Sequence, residues 1–136
     1  MTATLSLYVW ITVGSALGGL ARYVASGAVA HVIGETLPWG TLVVNVVGSF
    51  LLAFLVFHDL AKGDLGPGVV AFVGIGALGA FTTMSAVGVE TITYWADGFV
   101  ARGVTTAALN LVGSLLAAAL GRYVALLVSG TGAGTP

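Results

Sequence analysis

Four runs of roughly 20 residues, nearly free of charge and joined by short polar links, leave this 136-residue chain few folds. About 20 apolar residues rising 1.5 Å each cross the ~30 Å hydrocarbon core of a bilayer. The runs extend from about Leu5 to Ala30, Pro38 to Phe57, Val69 to Tyr94 and Val104 to Val128. With 58% apolar and 7% charged residues and a mean hydropathy of +1.09, the chain has too little charge to clothe a soluble domain. The expected fold is an all-α membrane protein: one four-span domain over residues 1–128, then a flexible C-terminal tail over 129–136. No basic segment precedes the first run, which is also too long for a cleaved signal peptide, so it reads as a permanent span. Tyr8, Trp10, Trp39, Tyr94, Trp95 and Tyr123 fall near span ends, where an interfacial aromatic belt sits. The absence of cysteine excludes disulfides and thiolate metal sites.

Residues Gly76 to Glu90 put glycines and hydroxyls inside the third run. Backbone that leaves the helix at membrane depth is tolerated only where protein buries it or a watery path runs beside it. The third helix is therefore expected to be broken there, beside a transport site. Gly14 with Gly18, Ser15 with Gly19 and Gly76 with Ala80 have spacings that allow close helix approach. Four helices enclose little interior, so a watery path calls for an oligomer. Arg22 and Arg102 fall on one side of the membrane, Lys62 and Arg122 on the side of the termini, which gives no positive-inside bias. A chain without bias can insert both ways up, and opposed copies can pair about an axis in the membrane plane, as inverted repeats do in larger transporters.

Polar groups inside spans mark packing partners or a pathway. Arg22 either snorkels to the interface or raises the anion concentration at a vestibule. Asn45, in the run Gly40-Thr41-Leu-Val-Val-Asn45-Val-Val-Gly-Ser-Phe50, either bridges helices or presents its amide to a pore. Asn110 repeats the context as Asn-Leu-Val-Gly-Ser. Glu90, the one acid within a span, shares a helical stripe with Thr83, Val87 and Tyr94. His31 and His58 lie near span ends and read as interfacial. No histidine accompanies a candidate nucleophile within a span and no glycine-rich loop ends in lysine, so no enzyme is expected.

Gly18-Gly19-Leu-Ala-Arg22-Tyr23, the Asn45 run, and Gly79-Ala-Phe-Thr-Thr-Met-Ser85 resemble, in order and spacing, the three signatures of the Fluc/CrcB fluoride channels. The resemblance implies a dual-topology subunit forming an antiparallel dimer in the cell membrane, among lipid and without nucleic acid, which exports cytoplasmic fluoride passively. It also implies a structural sodium ion held by the carbonyls of Gly79 and Thr82. The anion path would comprise Thr41, Asn45, Met84, Ser85, Val87, Asn110 and Ser114, with Arg22 at the vestibule and Thr83 and Glu90 as further intramembrane polar groups. Neutral amide and hydroxyl donors suit a small, tightly hydrated anion. The chain departs from the family pattern where two phenylalanines direct ring edges at the ion: here stand Met84 and Val87. Either a homologous partner bearing those phenylalanines supplies the working pore, this chain being a non-conducting or structural half, or a homodimer conducts through altered chemistry. A small multidrug-type exporter is the remaining alternative, but it needs an acid in the first span, which has none.

Overall fold

The structure, a computed structural model, describes residues 2–34 and 36–130, and all its regular elements are helical. In hydrocarbon a backbone must satisfy its own hydrogen bonds, and an apolar run does so as a helix. The elements are α1 (Thr2–Ile33), α2 (Trp39–Lys62), α3 (Pro67–Val69), a π-helical segment (Val70–Leu78), α4 (Gly79–Phe81), α5 (Met84–Ala96) and α6 (Val100–Ser129). The third span thus runs from Pro67 to Ala96 in pieces, and all four spans are long and apolar enough to cross a membrane. The helices extend a few residues past the apolar runs that predict them, except that α2 starts at Trp39, just after Pro38. At the end of α2, Asp59, Lys62 and Gly63 make the exit: Gly63 takes φ +63° and sends its N–H to the Asp59 carbonyl at 2.6 Å, a left-handed cap that favours glycine. Pro67 opens α3 at a position where its missing N–H has no helical partner to lose. Of the tail expected over 129–136, Ser129 closes α6, and residues 131–136 lie outside the described residues.

Packing is inverted relative to a soluble domain. Among the described residues the buried apolar side chains are Val44, Ala71, Val87 and Ala125, whereas Thr41, Asn45, Thr83, Thr91, Thr106, Asn110 and Ser129 are buried and polar. Leu17, Leu20, Leu115 and Leu116 stand outward. Lipid is as apolar as leucine, so helices associate through close backbone approach and polar contacts.

The first half of the third span lies mainly against α1, and the second half against α6, which also makes the most extensive pairing with α2. Glycine makes the α1 contact possible. A Cβ on Gly14 would fall 2.2 Å from the Phe72 carbonyl oxygen, and one on Gly18 2.0 Å from that of Ala77. Gly76 returns the fit, its Cβ position lying 2.8 Å from the Ile11 carbonyl oxygen and 3.1 Å from the Ser15 nitrogen. The Gly14 and Gly18 pair thus packs as its spacing predicts, whereas a Cβ on Gly19 would meet no other element within 4 Å among the described residues. On the other flank a Cβ on Gly121 would fall 2.3 Å from the Phe50 carbonyl oxygen.

At the end where α2 and α6 finish, His58 ties three pieces together. Its Nδ1 lies 3.0 Å from Ser129 Oγ and its Nε2 3.5 Å from Asp64 Oδ1, while the ring stacks on Phe54 at 5.8 Å. The interfacial place expected for His58 becomes a specific bond from α2 to the end of α6 and to the α2–α3 connection.

Candidate functional site

Thr82 and Thr83 leave the helix, with φ/ψ of −83°/158° and −153°/110°. The break falls inside the Gly76 to Glu90 stretch, where the glycines and hydroxyls predict it. Asn45 grips it from α2. Its Oδ1 accepts the Thr83 N–H at 2.7 Å and its Nδ2 donates to the Thr83 carbonyl at 3.0 Å. A backbone N–H must face an oxygen, so this pairing fixes which way the amide points. The same Nδ2 donates to Asn110 Oδ1 at 2.9 Å, and Asn110 Nδ2 donates to the Thr106 carbonyl one turn back on α6 at 3.0 Å. The repeated Asn-x-x-Gly-Ser contexts of α2 and α6 therefore meet face to face. Both amide hydrogens of Asn45 are spent within the protein, which makes it the clamp of the break, and of its two sequence readings the helix-bridging one matches this geometry.

Thr83 also starts the following helix: its Oγ1 accepts the Ala86 N–H at 3.2 Å and lies 3.1 Å from Ser85 Oγ. This is an N-cap, which satisfies one of the orphan donors at a helix start. Together the two arrangements free two carbonyls. In a continuous α-helix the Gly79 carbonyl would accept from the Thr83 N–H, and the Thr82 carbonyl from the Ala86 N–H. Here Asn45 takes the first N–H and the Thr83 hydroxyl takes the second. Among the described residues no backbone N–H replaces them, and the Gly79 carbonyl has only the Thr82 hydroxyl at 3.5 Å.

Beside the break opens a cavity of about 970 Å³ between α1, the start of α2 and α5, lined by Arg22, Ser26, Thr41, Thr83, Glu90 and Tyr94 among others. The Thr41 hydroxyl donates to Glu90 Oε1 at 2.5 Å and so ties α2 to α5. Glu90 Oε2 is buried and has no partner among the described residues. Arg22 is half-buried on the wall of the same cavity.

The expected path residues divide into groups. Arg22, Thr41, Thr83 and Glu90 share the cavity; Asn45, Ser85 and Asn110 gather at the break. Ser114 is half-buried one turn further along α6 and is not part of the cavity lining. Met84 and Val87 part company: Met84 is 71% exposed on the protomer, whereas Val87 is 1% exposed, enclosed within it. Thr106, whose carbonyl anchors Asn110, is absent from the sequence-based set. Its position four residues before Asn110 on one helix is the signal that points to it.

The fit around the break is close enough to test. A Cβ on Gly48 would lie 2.4 Å from Thr82 Cγ2 and 3.2 Å from Phe81 Cδ1. We predict that Gly48→Ala displaces the break and costs about 1–3 kcal/mol, the usual range for overpacking. Thermal unfolding of the purified protein checks this, and an unchanged midpoint would disprove the contact.

The fold and site together define a four-span integral membrane protein whose third span is broken and clamped beside a largely apolar cavity that carries Arg22 and Glu90. The chain belongs to the CrcB family, whose model, described as CrcB-like protein, Camphor Resistance (CrcB), matches residues 9–122. Similar proteins include the fluoride-specific ion channel FluC of Opitutus terrae, 45% identical over 114 residues, 82% of this chain and 83% of that one. The protein of the same name from Methylocella silvestris is 41% identical over 124 residues, 90% of this chain and 95% of its own. The fluoride-specific ion channel FluC 2 of Haloarcula marismortui is 45% identical over 108 residues, 79% and 81% of the two chains.

Proposed function

We propose that this chain is a subunit of a fluoride-selective channel that lets cytoplasmic fluoride leave the cell passively. The clamped break at the foot of the Arg22-lined vestibule carries this reading, and the fluoride-specific names of relatives matching most of both chains support it. Arg22 concentrates anions at the mouth without binding them tightly, while the Ser85 and Thr83 hydroxyls, joined by one of their two hydrogens, keep the other as a neutral donor at the break. Asn45 serves the path by holding the break open rather than by donating to the ion, and Asn110 supports it through its oxygen.

The pathway is completed by a second, antiparallel copy. The balanced basic residues support that arrangement, as does the exposure of Met84, Ile75 and Ile92 along the third span. A sodium ion fits the carbonyls freed at Gly79 and Thr82: hard cations take oxygen ligands, and a pair of carbonyls from each of two copies makes a neutral oxygen shell. When bound, the ion supplies fixed positive charge near the centre of the membrane without a basic side chain.

A heterodimer is the second reading. Val87 is enclosed and Met84 has no ring, so neither brings an aromatic edge to the path; a phenylalanine-bearing partner supplies both.

Liposomes containing only this protein and loaded with fluoride or chloride decide the matter. Fluoride efflux without chloride efflux is the expected result for a homodimer. Efflux that begins only when a phenylalanine-bearing subunit is co-reconstituted selects the heterodimer, and chloride flux equal to fluoride flux refutes the channel assignment.

A further inference from the structure

We propose that Asn110 is a positioning residue for the cation cradle, acting through Asn45 and Thr83 rather than on the permeating ion. This rests on the reading of Gly79 and Thr82 as sodium ligands. The connection is a continuous series of hydrogen bonds crossing three spans. The Thr106 carbonyl on α6 holds Asn110 Nδ2 at 3.0 Å, Asn110 Oδ1 holds Asn45 Nδ2 at 2.9 Å, and Asn45 Oδ1 holds the Thr83 N–H at 2.7 Å. The last bond removes the donor that a continuous helix would give to the Gly79 carbonyl. Asn110 is 4% exposed and Asn45 is 7% exposed, so neither amide has an easy alternative in water.

Direction matters in this relay. Asn45 has one oxygen and two hydrogens, and the Thr83 N–H and carbonyl use the oxygen and one hydrogen. The second hydrogen needs an acceptor, and Asn110 Oδ1 provides it. Removing Asn110 orphans that hydrogen in a buried site and frees the Asn45 amide to turn toward other partners. If it turns, the Thr83 N–H returns to the Gly79 carbonyl and the cradle closes into helix. The relay thus makes cation binding at the centre of the membrane depend on a side chain of the fourth span.

The test uses the purified full chain and two readouts. One is the sodium concentration that half-stabilises the protein against thermal unfolding, with potassium replacing sodium at constant ionic strength. The other is hydrogen exchange at the Thr83 amide. For the wild type, sodium raises the unfolding midpoint and Thr83 stays protected in either salt. For Asn110→Ala, the sodium requirement is expected to rise at least about tenfold and Thr83 exchange to quicken, while Leu111→Ala, an exposed neighbour on α6, changes neither. Where Asn110→Ala fails to assemble, Asn110→Ser is read in the same two assays. Wild-type sodium dependence with wild-type Thr83 protection in the Asn110 variant overturns the proposal. So does free exchange of Thr83 in the wild type under potassium, since the ion rather than Asn45 would then hold the break. A wild type with no sodium-specific stabilisation removes the sodium reading itself and this proposal with it, leaving the fluoride assignment standing.

Discussion

Asn45→Leu is expected to abolish fluoride efflux and to loosen the third span. Leucine nearly conserves the volume but deletes every polar atom of the clamp. The Thr83 N–H, the Thr83 carbonyl and Asn110 Oδ1 all lose their Asn45 partners. A buried group without a partner costs about 1–3 kcal/mol. Water from the adjacent vestibule relieves part of this, so the total is about 3–6 kcal/mol. Even the lower figure shifts the clamped population by about 100-fold. Met84→Ala, at an exposed position outside the clamp, is expected to do far less. Efflux from liposomes, measured beside size-exclusion of the same preparation, separates lost conduction from lost assembly. An Asn45→Leu protein that conducts like the wild type would show that the clamp is dispensable.

The second large effect separates the two positions at which the family pattern places phenylalanine. Met84→Phe adds a ring on the exposed side of α5 and is expected to fold. Val87→Phe must force a ring into a site 1% exposed within the protomer. Overpacking of this kind costs about 3 kcal/mol or more, and the variant is expected to unfold at lower temperature or not to assemble. In this chain the pair therefore cannot be restored by two substitutions alone: neighbours of Val87 must shrink as well. If lost ring edges limit conduction, Met84→Phe by itself raises fluoride efflux. A ring edge is worth about 1 kcal/mol, a several-fold change in rate. A Val87→Phe protein with wild-type stability would mean that the pocket opens more readily than its burial implies.

The spans, the place of the break and the importance of Asn45 are legible in the sequence because each is written in composition: charge-free runs, then glycine and hydroxyl in the wrong solvent, then an amide in hydrocarbon. What those groups bond to is not. Asn45 reads as a pore donor, with a bridge as the alternative, until its two hydrogens are seen on Thr83 and Asn110. Faces are nearly as hidden. In a soluble helix the polar stripe marks the outside, but in a membrane span it can mark the inside, and the stripe of Thr83, Val87 and Glu90 is the one sign in the pattern that Val87 points inward while Met84 points out. The π-helical turn leaves no distinctive residue either. Gly74 and Gly76 permit it without demanding it, and the backbone contact with Gly14 and Gly18 becomes visible only in three dimensions.

That π segment gives the third span a residue to spare. From Val70 to Leu78 the backbone bonds in the wider register, anchored at Phe72 and Ala77 by the glycines of α1. Relaxed to ordinary helical bonding at its present length, the segment would wind further, and everything after it would turn by about 100°, one step of a 3.6-residue helix, carrying Thr83 away from Asn45. Shortened by one residue and relaxed in the same way, it would keep the break close to its clamp. Most apolar side chains along this stretch are interchangeable in lipid; the match between its residue count and its register is not.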